Sequence, residues 1–354
     1  MQRLIAAALV FAAACGSPSS DPTDATSDTS SSGVDTKSDV PSTSVDPATT
    51  TTDATTDAAT AGSTGGTDPD TTGTTAAESS STGETERCAG TFPTAWPDGL
   101  DCGSPEIFVH QYDDDTFILR QSLCTSFEGP FLYLLFGEDR VLLEDTGAGG
   151  VDVADVVGEV ITQWLADNGK VSIELIVVNS HAHGDHTAGN SMFDGQPGVT
   201  LVPPSVGGLS EFFGIDDWPE QIVAYDLGGR TIDVIPIPGH QTSHIALFDH
   251  GTGWLLTGDT LYPGRLYIDD FDAYVASISR LVDNVPAEAV CNVMGTHIEM
   301  TSTPGVDFEF GADQHPNEHA LQLDYAHLVE LRDAVLAMDS PEIEVHDDFI
   351  VFPL

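Results

Sequence analysis

Basic residues are scarce in this chain. Only 10 of its 354 residues are Lys or Arg, against 57 Asp and Glu, a formal net charge of −47. A surface that negative repels phosphate backbones and anionic headgroups. Nucleic-acid binding, which needs basic side chains to release counterions, is all but excluded as a function. Long apolar runs are also missing: none reaches the roughly 18–20 residues that a membrane-spanning helix needs. There are five cysteines, none in a CxxC or Cys/His spacing, which argues against a zinc–thiolate site. Between residues 16 and 87 there is no aromatic residue, no Leu and no Ile. Such a stretch cannot bury enough apolar surface to offset its chain entropy.

Three parts follow from these absences. Residues 1–15 read as a targeting segment: Arg3 precedes an apolar run from Leu4 to Ala14, the length of a signal peptide. The run ends Ala12-Ala13-Ala14-Cys15, which resembles a bacterial lipobox. That resemblance implies a lipid anchor at Cys15 and an exported, membrane-tethered lipoprotein; otherwise the protein is periplasmic or secreted. Residues 16–87 read as a disordered Ser/Thr/Asp-rich linker with an r.m.s. reach of roughly 45–50 Å, enough to hold a domain clear of a membrane. Residues 88–354 are the folded domain. They carry 44 of the acidic residues and 7 of the basic ones, a formal charge near −37, so the acidity is not confined to the linker. Cys88, Cys102, Cys124 and Cys291 form an even set that suggests up to two disulfides in an exported chain. Three pairings are open, and the short loop from Cys88 to Cys102 is the first expectation.

Within the domain, short β-branched and aromatic runs separated by Asp and Gly predict strands at Ile107–Gln111, Thr116–Gln121, Phe131–Phe136 and Arg140–Glu144. Asp152–Asn168 has helical spacing, with Val153, Val157, Val160, Ile161 and Trp164 on one face and Gly169 as a stop. Ile173–Val178 is continuously apolar, as a strand buried on both faces would be. Further strands are expected near Thr231–Ile237, His244–Phe248, Trp254–Leu256, Val290–Met294 and Glu344–Val351. Helices are expected over about Asp272–Val285 and along a stripe from Leu321 to Met338. Strands in runs with helices between and after them fit two sheets packed face to face with helices outside.

The strand Ile173–Val178 runs directly into Asn179-Ser180-His181-Ala182-His183-Gly184-Asp185-His186. A rigid core strand followed by a loop with three His and one Asp can aim several nitrogen and oxygen donors at one point. Those donors suit zinc. Three more candidates each follow an apolar run: His240 in Pro238-Gly239-His240, Asp259 in Thr257-Gly258-Asp259-Thr260, and His297 in Gly295-Thr296-His297. His110, His250, His315, His319, His327 and His346 lie in polar stretches and read as solvated or structural.

This ordered set resembles the metallo-β-lactamase superfamily over nearly all of residues 105–354, with Asp145 in Glu144-Asp145-Thr146-Gly147 matching an acidic turn beneath the metals. The resemblance implies the α/β class and a four-layer αβ/βα sandwich. It implies that His181, His183 and His240 bind one zinc, that Asp185, His186 and His297 bind a second, and that Asp259 bridges them. It also implies a water whose pKa is lowered towards ~7 to become the nucleophile, with Asp185 among the catalytic groups and a small molecule as substrate. His244 matches a position that could orient a metal ligand. A bridging Asp looks more like glyoxalase II thioesterases and acyl-homoserine-lactone lactonases than like several true β-lactamases, which carry Cys there. Tyr262 is similar to a substrate-contacting, catalytic Tyr of those lactonases, and Arg265 is the one nearby cation for substrate binding. The expected activity is hydrolysis of an ester, lactone or thioester, with β-lactam hydrolysis less expected. The alternatives are an iron-dependent sulfur-handling or oxidative member of the fold, and a non-catalytic binding protein. No protein partner is indicated.

Overall fold

The computed structural model describes residues 87–354. The targeting segment, Cys15 and all but the last residue of the linker lie outside the described residues. Four strands open the domain: β1 (Ile107–Asp113), β2 (Thr116–Gln121), β3 (Phe131–Phe136) and β4 (Arg140–Glu144). Helix α1 (Val153–Asp167) crosses to β5 (Glu174–Val178), and a single turn, α2 (Gly184–Thr187), precedes β6 (Val199–Leu201). After α3 (Val206–Phe213) come β7 (Val223–Asp226), β8 (Thr231–Pro236), β9 (Ile245–Asp249), β10 (Trp254–Gly258) and β11 (Arg265–Ile268). Then follow α4 (Phe271–Asn284), β12 (Asn292–Gly295), β13 (Gln322–Leu323), α5 (Tyr325–Ala337), β14 (Glu344–Val345) and β15 (Ile350–Pro353).

The strands form two six-stranded sheets, ordered β1-β2-β3-β4-β5-β6 and β13-β12-β10-β9-β8-β7, with a small third sheet β11-β15-β14. Strand period two sets the layers. All six residues of β3 are buried. Phe131, Tyr133 and Leu135 face the second sheet, meeting Val234, Leu247, Trp254 and Met294 in one core. Leu132, Leu134 and Phe136 face outward onto Val153, Val157 and Trp164 of α1. On the far side, Ala246, Phe248, Leu255 and Val293 pack on Tyr274, Ile278 and Leu281 of α4 and on Leu328, Leu331 and Val335 of α5. The result is helix, sheet, sheet, helix: the four-layer sandwich. Among the described residues no helix is long and apolar enough to cross a membrane.

Helix starts follow from local chemistry. Asp152 accepts from the Asp155 amide at 3.1 Å and Asp270 from the Ala273 amide at 3.0 Å, each satisfying a donor that the first turn leaves free. Asp324 does the same for Ala326 and His327, so α5 begins at Tyr325. Leu321, expected at the head of that stripe, instead sits in the core between the sheets. The single closing strand expected over Glu344–Val351 is two strands paired antiparallel around His346–Phe349. The polar His346-Asp347-Asp348 stretch makes the turn.

The disulfide expectation is corrected. Cys88 joins Cys291 and Cys102 joins Cys124, each with Cα atoms 5.6 Å apart; Cys88 and Cys102 are not paired with each other. The first bridge links residues 203 apart in sequence, a contact that only the fold creates.

Arg230 ties the two sheets together. Its guanidinium forks onto Asp249 at 3.0 and 2.5 Å and also donates to the Asp115 carbonyl at 2.8 Å, the Phe136 carbonyl at 3.1 Å and the Thr116 hydroxyl at 3.0 Å. Burial opposes the Asp249 charge, but Arg230 and Thr252 hold the carboxyl below its ordinary value. A carboxyl depressed on folding contributes stability that is full above its unfolded pKa of ~3.9 and is lost as pH falls through the folded value. We expect Asp249→Ala to cost about 3–5 kcal/mol at pH 7, because it strands a buried guanidinium. Denaturant unfolding should show that gap narrowing below about pH 4.

Candidate metal centre

The register of β4 and β5 places the first part of the site. These strands are parallel, with Glu144 opposite Val178, so the turn after β4 meets the loop after β5. Asp145 occupies that turn with φ 68°, the left-handed region that a non-glycine residue seldom adopts. Its carboxylate accepts from the Ser180 amide, the Ser180 hydroxyl and His186 Nδ1, each at 2.8 Å. Since Ser180 donates its proton to Asp145, its oxygen is free to accept from His181 Nδ1 at 3.1 Å. One carboxylate thereby orients two imidazoles and leaves each with its Nε2 lone pair exposed.

The second sheet supplies the rest. His240 follows β8, and its Nδ1 donates to the Tyr267 carbonyl at 2.7 Å. Gly239 before it has φ 146°, and a Cβ there would stand 2.5–2.6 Å from Tyr274, so only glycine lets the loop pass α4. Asp259 follows β10 and accepts a hydrogen bond from Thr296. His297 follows β12, and its Nδ1 donates to the Glu128 carbonyl at 2.9 Å. A carbonyl can only accept, so His240 and His297 also present Nε2 lone pairs.

Seven side chains thus converge as two groups: His181, His183, His240 and Asp259, and Asp185, His186, Asp259 and His297, with the donor atoms of each group within 4.8 Å of one another. His183 Nδ1 lies 2.9 Å from His181 Nε2 and 3.0 Å from His240 Nε2. Asp185 Oδ2 lies 3.1 Å from His186 Nε2 and 3.3 Å from His297 Nε2. Asp259 belongs to both groups. Its Oδ2 is 3.7 Å from His181, 3.5 Å from His240 and 3.3 Å from His186, and its Oδ1 is 3.3 Å from His297.

The donor set fits divalent metal ions. His181 and His240 direct their Nε2 lone pairs at each other across 3.2 Å, and His186 and His297 do so across 3.4 Å. Facing lone pairs repel unless a cation lies between them. Without metal, protons take that place in the second group. Burial pulls the His297 imidazolium down, but Asp259 and Asp185 hold it up at about 10. Burial likewise opposes the His186 charge, and Asp259, Asp145 and Asp185 outweigh it, raising that group well above its ordinary value. In the first group burial prevails: His181 and His240 are lowered and stay neutral, as metal ligands must be.

Other expected residues have different surroundings. His244 is buried beside His181 and His240, with ring centroids 4.6 and 5.5 Å away, but its Nδ1 pairs with the Thr260 hydroxyl at 3.3 Å rather than with a donor of either group. The Tyr262 ring meets His297 at 5.6 Å, while its hydroxyl donates to the Arg265 carbonyl at 2.5 Å. Arg265 pairs with Asp307 at 2.6 Å and lies near Glu299 at 3.6 Å, and it is not among the residues that line the cleft. It stands next to the cleft, beside Glu128, Glu299 and Phe310. The six remaining histidines lie outside both groups; His319 and His327, for example, share Asp348 at 2.8 and 3.0 Å.

The donors lie at the floor of a cleft of about 580 Å³, whose walls include Glu128, Gln241, Tyr267, Asp269, Glu299, Phe310 and Leu354. None of these seven was singled out from the sequence. They come from six separated stretches and carry no shared motif.

Residues 128–291 match the family model of the metallo-beta-lactamase superfamily. The chain is 30% identical over 152 residues to a hydroxyacylglutathione hydrolase of Methylococcus capsulatus, covering 42% of this chain and 57% of that protein. It is 26% identical over 225 residues to one of Dechloromonas aromatica, covering 62% and 75%. The chain spans about half the length of the first curated relatives it matches. A solved metallo-beta-lactamase from Pontibacter korlensis aligns with 66% of the chain and 100% of its own length, at 16% identity and a TM-score of 0.43.

The shared position of Asp259 makes a specific prediction. Asp259→Ala should lower zinc content at both groups, whereas His240→Ala should lower it at one and Tyr262→Phe at neither. Elemental analysis of protein dialysed against limiting zinc checks all three. Loss of metal in Tyr262→Phe would contradict the division.

Proposed function

We propose, from the match of residues 128–291 to the metallo-beta-lactamase superfamily model, that the protein is a two-zinc hydrolase of ester, lactone or thioester bonds. The observation that carries this reading is the placement of Asp259 between two groups of converging imidazole lone pairs. Two bound zinc ions would supply Lewis acidity toward a carbonyl oxygen and lower the pKa of water to near 7.

The chain's own residues account for the rest. No Ser or Cys lines the cleft, and the four cysteines among the described residues are in disulfides. Neither a serine hydroxyl nor a free thiol is then at hand, and in this proposal water is the nucleophile. Asp185, with its side chain 21% exposed, accepts a hydrogen bond from water at the cleft floor and orients it toward the acyl carbon. Burial opposes its charge, but His186 and His297 keep it ionised well below the ordinary carboxylate range. The Asp145–Ser180–His181 chain and the carbonyls of Tyr267 and Glu128 hold the imidazoles in place, so the donors need little rearrangement during turnover. Tyr262 supports His297 through its ring rather than offering a free hydroxyl to substrate.

Thioester cleavage is supported by the similarity to hydroxyacylglutathione hydrolases. The cleft walls, however, contain no Lys or Arg to meet the carboxylates of a glutathione arm. We further propose that the protein is exported and tethered through Cys15. The Leu4–Ala14 run before Cys15 and the two disulfides support an oxidising compartment.

Exhaustive chelation should abolish hydrolysis across a panel of lactones, esters and thioesters, and zinc should restore it. It should also lower the melting temperature, since a ligand at 100 times its Kd stabilises the folded state by about 2.7 kcal/mol. Activity that survives verified metal loss would refute the proposal.

A further inference from the structure

Between β12, which ends at Gly295, and β13, which starts at Gln322, the chain makes its longest excursion without helix or sheet among the described residues. That segment first delivers His297 to a metal group and then carries Glu299 and Phe310 to the cleft wall. Two isolated bridges, Met300 with Asp307 and Thr301 with Glu318, fold it back on itself. A loop of that length with no ladder of its own keeps its position only through tethers to the rest of the fold. Such loops in compact domains are commonly binding loops or lids.

Its buried tether is a charge pair. Arg120 of β2 is 1% exposed and forks onto Glu318 at 2.7 and 2.5 Å, across 198 residues of sequence. The same guanidinium lies over the Phe131 ring, 4.8 Å from its centroid. Glu318 Oε1 also meets His315 Nδ1 at 3.2 Å, and the His315 ring lies flat on Phe308, with centroids 4.2 Å apart and planes 2° from parallel. The Phe308 amide donates to the Glu299 carbonyl at 2.8 Å, while its own carbonyl accepts from Arg265. Contacts therefore run unbroken from the fork to a residue of the cleft wall. Stability does not explain the fork, because an apolar pair of similar size in a buried site is often as stable or more so. Geometry does: a planar guanidinium meets a carboxylate in a fixed orientation, where apolar side chains would slide.

Given the hydrolase reading above, we propose that Arg120 is a positioning residue for substrate binding. It is neither a metal candidate nor a residue lining the cleft. Through Glu318 and the His315–Phe308 stack it fixes where Glu299 and Phe310 stand, and so sets how well substrate fits. Metal content and the chemical step are outside its reach.

The test removes both charges at once, Arg120→Met with Glu318→Leu, so that no buried charge is stranded and the fold survives. Zinc-loaded full chain is assayed on the best substrate of the lactone, ester and thioester panel. KM should rise by about tenfold, within the range that residues touching no ligand reach. The kcat should stay within about twofold, and zinc content should match the unsubstituted protein. Val157→Ala, which opens a cavity between the first sheet and α1, is the stability control: it should lower the melting temperature and leave KM unchanged. If the double variant does not fold, Arg120→Lys, which keeps the charge and loses the fork, should raise KM at unchanged zinc content. An unchanged KM, a rise matched by Val157→Ala, or a loss of zinc would overturn the proposal. If no panel substrate is cleaved, the hydrolase reading fails separately. Hydrogen exchange over residues 306–310 then decides the positioning: exchange about tenfold faster without the fork, at unchanged zinc content, sustains it, and unchanged exchange ends it.

Discussion

The carboxylate of Asp145 is the joint from which the floor of the cleft hangs. It sits in a left-handed turn and takes three hydrogen bonds, two from Ser180 and one from His186. Through the Ser180 hydroxyl it also sets His181. Two imidazoles from one loop thereby have their Nδ1 committed and their Nε2 turned inward, before any metal arrives. A change at Asp145 would leave every donor of both groups in the chain and still lose their common aim.

That joint works because the sandwich around it is rigid. β4 and β5 are buried along nearly their whole length and fix the height of the Asp145 turn against the histidine loop. The other donors come from the ends of β8, β10 and β12 in the opposite sheet. The two sheets must therefore hold their spacing closely. A shared apolar core does most of this, and the buried Arg230–Asp249 pair with its links to both sheets adds to it. Exposed pairs such as Arg140–Glu174, with side chains 38% and 44% exposed, contribute little by comparison.

Charge acts at two ranges. The formal charge near −37 over residues 88–354 acts at a distance and is damped beyond roughly 8 Å at physiological salt. Inside the cleft, the carboxylates of Glu128, Asp269 and Glu299 act at contact distance, where screening is weak. Arg265 stands beside them, paired with Asp307 at 2.6 Å and 3.6 Å from Glu299.

Much was legible in the chain itself. The longer strands and helices followed from periodicity, since a residue's neighbours two or three to four places away decide which face it presents, whereas short elements such as β6, β7, β11, β13 and α3 carry too few residues to show a period. The seven metal-ligand candidates stood out because each follows an apolar run that had to be a core strand, and strand ends in a sandwich can meet. The Asn179–His186 loop needed no partner to be noticed. Contacts between distant segments were another matter. The Cys88–Cys291 bridge depends on two segments 203 residues apart being brought side by side, which spacing cannot reveal. The withdrawal of Arg265 onto Asp307 and the exposure of Phe310 depend on how the loop after His297 returns over the cleft. Local sequence determined the elements and the donors, because those obey short-range rules. Tertiary structure alone decided which charges face the substrate, because that is settled by neighbours far away in the chain.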